Sequence, residues 1–95
     1  MLVETPYKTN DVVSVKLSSG EEVVGRLIED ADDTITLNKP LMLSMTQKGM
    51  GLAPYMFTVD PESQITFKKV NTITIVKTME TMAKQYIQST SGLVT

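Results

Sequence analysis

Valine and leucine alternate with polar residues early in the chain: Val13, Val15 and Leu17 are separated by Ser14, Lys16 and Ser18. A period of two sends successive side chains to opposite faces, so this stretch predicts a strand with one buried face. Ser18-Ser19-Gly20-Glu21 supplies a turn, with Gly20 free to take positive φ. The next apolar run, Val23, Val24, Leu27 and Ile28, is interrupted by Gly25. A glycine inside a strand marks a bend or a close backbone approach. Asp30-Ala31-Asp32-Asp33 predicts a compact acidic turn, after which Thr34-Ile35-Thr36-Leu37 resumes the alternation. Residues 12–37 therefore predict a three-strand meander.

The third strand is expected to run on irregularly through Met45, because Pro40 has no amide donor and favours an edge or a bulge. Residues 48–54, with Gly49 and Gly51, read as a flexible connection, residues 55–59 as a short strand extension, and Asp60-Pro61-Glu62-Ser63 as a turn. Alternation over residues 65–70 and 73–76 predicts two more strands, joined tightly at Asn71-Thr72. From Thr78 the period changes, with Met79, Met82, Ala83 and Tyr86 at helical spacing. Thr78 is the expected N-cap, Glu80 falls in the first turn, and the helix should fray before Ser89. Residues 1–11, containing Pro6, read as an extended lead-in with a partial turn at Thr9, Asn10 and Asp11.

The sum is a mainly β chain: a small, strongly bent, five-stranded antiparallel barrel over residues 12–77, then a C-terminal helix and tail over 78–95. Strong bending lets a few strands close around a core too small for two flat sheets. At 95 residues there is room for one core.

Composition narrows the function. The apolar runs are far shorter than the roughly 20 residues that span a bilayer, and no basic segment precedes one at the N-terminus, so a cytoplasmic protein without a membrane partner is expected. With no Cys and no His, disulfides, thiolate zinc sites and the commonest general base are all excluded. No nucleophile-base pair, phosphate-binding glycine loop or metal constellation can be assembled, which argues against an enzyme and against a cofactor. A net charge of −2 gives no global attraction to a polyanion, so any nucleic-acid site must be local. A core this small, with seven Met and no Trp, also invites oligomerisation.

The segment from Val15 to Leu27, with Leu17, Gly20, Gly25 and Leu27, resembles the first motif of the Sm-like (LSm) family, whose fold is an SH3-like barrel. Asp30 falls at that motif's Asp, and Thr34-Ile35-Thr36-Leu37 lies where the family has Asn-Leu-x-Leu. Residues 67–73 are loosely similar to the second motif, with Lys69 at its basic position and Val70 in place of its Gly. The resemblance implies a cyclic homo-oligomer of roughly five to seven subunits, closed by pairing between the last two strands of neighbours. Ile65, Phe67, Val70, Ile73 and Ile75 would form that interface. It also implies single-stranded RNA at or near the ring pore, contacted by Asp30, Asp32, Thr34, Lys69 and Asn71. Two positions depart from the family: Asp32 stands where an aromatic or His would stack on a base, and Thr34 lacks the paired donor and acceptor of Asn. A non-catalytic structural or protein-interaction ring that has lost RNA binding is the alternative.

Three other features carry weaker chemistry. Asp30, Asp32 and Asp33 are oxygen ligands suited to a hard cation, but without a calcium-loop spacing they read as a solvated turn. Phe67, Lys68, Lys69 and Arg26 could make a basic-aromatic patch, yet alternation sends Phe67 and Lys68 to opposite faces, so Phe67 is expected in the core. Met79 and Met82 fit either core packing or a protein-partner surface, and Met42, Met45, Met50 and Met56, if exposed, suggest further contacts.

Overall fold

The computed structural model describes residues 7–91. Most of the expected lead-in, residues 1–6, and the end of the expected tail, residues 92–95, lie outside the described residues. Six strands and one helix come in order: β1 (Val12–Leu17), β2 (Glu22–Asp30), β3 (Thr34–Thr46), β4 (Gly49–Pro54), β5 (Gln64–Lys68), a 3-10 turn (Lys69–Asn71), β6 (Thr72–Lys77) and α1 (Glu80–Thr90). All pairings are antiparallel, in the order β4-β3-β2-β1-β6, with β5 also on β3. Among the described residues β5 pairs only with β3 and β6 only with β1, so the sheet is open.

The predicted meander forms as read. Gly20 takes φ +112° in the first turn, closed by the Gly20 amide on the Leu17 carbonyl at 2.9 Å. At Gly25 the pairing register between β2 and β3 shifts. A Cβ there would lie 3.0 Å from the Leu37 Cβ, so this glycine permits both the bend and a close approach of the two strands. Opposite faces of the same strands feed two cores. Val13, Val15, Leu17, Val23, Leu27, Ile35, Leu37 and Phe67 fill the first. Val12, Val24 and Tyr86 form the second, flanked by Leu41, Leu43, Leu52 and Ala83.

Several expectations are corrected. Residues 49–54 are a strand, which makes six strands in place of five. Gly49, at φ +114°, ends a two-residue turn at Gln47 and Lys48, and β4 then pairs with β3 from Thr46↔Gly49 to Leu41↔Pro54. The glycines here serve a hairpin turn and a small-residue face opposite Ser44 and Thr46, not flexibility. Residues 55–59 add no strand. Lys69, Val70 and Asn71 leave the strand for a single 3-10 turn, which joins β5 to β6.

The helix also starts one residue later than expected. Met79 is the N-cap, and Thr78 is drawn into the sheet, its amide on the Val12 carbonyl at 3.0 Å and its hydroxyl 2.8 Å from that of Ser14. Of the helical apolar stripe, only Tyr86 is fully buried, Ala83 packs beside it, and Met79 is exposed. The helix continues through Thr90 because its last turn is tied down: the Lys39 ammonium donates to the Thr90 carbonyl at 3.0 Å. The Tyr86 hydroxyl meanwhile shares its proton between the carbonyls of Asn38 (2.8 Å) and Lys39 (3.0 Å). No helix of the described residues is long and apolar enough to cross a membrane.

Candidate functional site

The β2–β3 turn and the corner where β5 becomes the 3-10 turn meet in space. Strand pairing brings them there: Thr34↔Lys68 is the last register pair between β3 and β5, so the residues after Lys68 must lie over those before Thr34. The Lys69 amide then donates to the Asp33 carbonyl at 2.8 Å. From the same residue the ammonium donates to the Asp30 carboxylate and to the Ala31 carbonyl. The second Asp30 oxygen accepts the Tyr7 hydroxyl at 3.1 Å. Asp30 is thus gripped from both sides, and the turn is fixed to the corner by backbone and side chain together.

Between them lies a cleft of about 400 Å³ lined by Asp32, Asp33, Thr34, Lys68, Lys69 and Val70. Asp32 and Asp33 bring two carboxylates to it and Lys68 and Lys69 two ammonium groups, of which Lys69 is already paired with Asp30. The bond to Asp30 holds the Lys69 ammonium charged to a pH above its ordinary range. Partial burial, reinforced by the hydrogen bond and charge of Asp30, raises the Tyr7 phenol. Val70 is 83% exposed and adds an apolar wall. Hydrogen-bonding groups beside an apolar surface suit a planar polar ligand better than a bare anion.

Of the five residues expected to contact RNA, Asp32, Thr34 and Lys69 line this cleft, and Asp30 stands behind it as the partner of Lys69. Asn71 is not brought to it. Its carbonyl accepts from the Ser18 amide (2.8 Å) and hydroxyl (3.2 Å), and it borders a separate hollow with Ser18, Ser19, Tyr55 and Phe67. Asp33, Lys68 and Val70 complete the cleft although sequence reasoning placed them elsewhere. Their signal was the β3–β5 register, which the sequence does not display. Tyr7 carried no signal at all.

The expected interface residues divide by exposure. Phe67 is buried in the first core, Ile65 and Ile75 pack partly against it, and Val70 and Ile73 are exposed. On the outer side of the sheet, a groove of about 540 Å³ runs between Val24, Leu43, Met50, Val76, Met79 and Met82. Among the described residues, no group of three or more acidic side chains is arranged to hold a metal ion.

No protein-family model matches the sequence. No curated protein matches it either.

Proposed function

We infer that this chain is a non-catalytic, ring-forming subunit of Sm-like type that binds single-stranded RNA in the cleft between the β2–β3 turn and the β5 corner. The observation that carries this is the meeting of Thr34 with Lys68, Lys69 and Val70 across two distant segments in one cleft. A base would rest against Val70, with the Thr34 hydroxyl and Lys68 at its polar edges. Ring closure is supported by the open edges of β5 and β6, which carry apolar β-branched residues and no Pro, a liability unless a neighbouring subunit covers them. Pairing across those edges would join the open sheets of neighbouring subunits and leave neither edge exposed.

Fluorescence anisotropy with labelled U-rich and A-rich oligonucleotides at low salt tests the binding, and light scattering tests the ring. Micromolar binding by an oligomer is the expected result. Because Lys69 is already paired, few phosphates are neutralised, and affinity should fall only shallowly with salt. A monomer at micromolar concentration defeats the ring.

One observation favours a second reading: Asp32 and Asp33 place two carboxylates in the cleft and Lys69 is already occupied. A ring that binds neither oligonucleotide would be a structural or protein-interaction assembly. In that case Met79 and Met82 in the outer groove are the first residues to mutate in a search for partners.

A further inference from the structure

Resting on the RNA reading above, we propose that Asp30, steadied by Tyr7, is an autoinhibitory clamp on Lys69. It withholds that ammonium from ligand phosphate, so that the cleft selects by base and backbone hydrogen bonds and discriminates against simple polyanions.

The geometry supports a clamp in three ways. First, Asp30 divides its two oxygens, one for the Lys69 ammonium and the other for the Tyr7 hydroxyl, and Tyr7 itself packs against the first core. The carboxylate is therefore held through both of its oxygens. Second, Lys69 also donates to the Ala31 carbonyl. Two of its three N–H donors are thus engaged, one of them by a charged acceptor that already offsets the ammonium's charge, so an incoming phosphate meets one remaining donor next to a carboxylate that repels it. Third, Lys68, the neighbouring residue on the same cleft, forms no ion pair among the described residues and is exposed. Two adjacent lysines thus differ in availability. The charged and titratable groups around Lys69 are Asp30, Asp32 and Tyr7, so removing Asp30 takes away the only carboxylate among the described residues in direct contact with it.

An Asp30→Asn variant, with and without Lys69→Ala, tests the clamp against a labelled U-rich oligonucleotide over a range of salt. Asp30→Asn should bind roughly fivefold more tightly at low salt, and its log-log salt dependence should steepen by about 0.7, the value for one added phosphate contact on a single strand. Lys69→Ala should cancel both gains in that variant. Independently of RNA, side-chain ammonium NMR during titration with inorganic pyrophosphate should move Lys68 and leave Lys69 in place in the wild type. In Asp30→Asn, both should move.

If the wild type binds RNA and Asp30→Asn is indistinguishable from it, the clamp is wrong and the RNA reading stands. If neither binds RNA but pyrophosphate separates the two lysines as described, the clamp stands and the RNA reading falls. Should Asp30→Asn fail to fold, the wild-type titration decides alone, and a Lys69 signal that moves with that of Lys68 overturns the clamp.

Discussion

The two halves of β3 belong to one strand and have different fates. Residues 34–38 lie between β2 and β5, and Ile35 and Leu37 are wholly buried. Residues 41–46 lie between the start of β2 and β4, run out beyond it, and end with Met45 at 76% exposure. Apolar content does not separate them, since Leu41, Met42, Leu43 and Met45 are as hydrophobic as the first half. What differs is what lies on their faces: the first half faces the filled interior of the bend, while the second is covered by α1 only near its base. The boundary is Lys39, whose left-handed φ of +52° breaks the ladder just before Pro40. Burial along a strand is thus set by the elements that reach it, not by the strand's own composition.

The sharpest way to break this comparison is truncation on either side of the boundary. Leu37→Ala should cost about 2–5 kcal/mol in urea unfolding, the range for emptying a filled core site. Equal losses from Leu37→Ala and Met45→Ala would show that the outer half is as tightly packed as the inner. Next in size is Gly25→Ala: the added methyl meets Leu37, and a loss of about 1–3 kcal/mol is expected by the same measurement.

Tyr86→Phe tests the boundary itself. It leaves the carbonyls of Asn38 and Lys39 without their donor, for an expected loss of about 1–2 kcal/mol. Burial raises the Tyr86 phenol above its ordinary value, so the folded state favours the neutral form. That stability is complete below the ordinary phenol pKa of about 10 and is lost as pH rises through the higher folded value. Unfolding curves at rising alkaline pH should therefore fall less steeply in Tyr86→Phe than in the wild type. Smallest of all, Met45→Ser should shift stability by no more than about 0.5 kcal/mol, as exposed positions do.

Much of the inner half was legible in the sequence. Alternation at Val13, Val15 and Leu17 and again at Ile35 and Leu37, with Gly20 and Gly25 between them, carries local information sufficient for a meander. The outer half was harder to read. Gly49 and Gly51 look like a flexible connection until the Thr46↔Gly49 pairing shows a hairpin, because a glycine permits a turn as readily as it permits disorder. The helix was visible from its period, but Thr78 is claimed by the sheet through Ser14, a contact 64 positions away that no local cap rule contains. The cleft was half legible. Lys69 and Thr34 could be named from their resemblance to a motif, whereas Lys68 and Val70 depend on a strand register and Tyr7 on a hydrogen bond to Asp30 across 23 positions.

The turn at Gln47 and Lys48 sits at the end of the β3–β4 ribbon opposite Lys39, Pro40 and the Tyr86 hydroxyl. Chain length at that turn is therefore uncoupled from both cores. This is where the sequence has freedom to grow or shrink, provided both strands change together. A change in one strand alone would instead strain the register towards Leu43 and Leu52, which pack against the second core. Chains that vary at this turn would differ in the reach of the β3–β4 ribbon while keeping one interior.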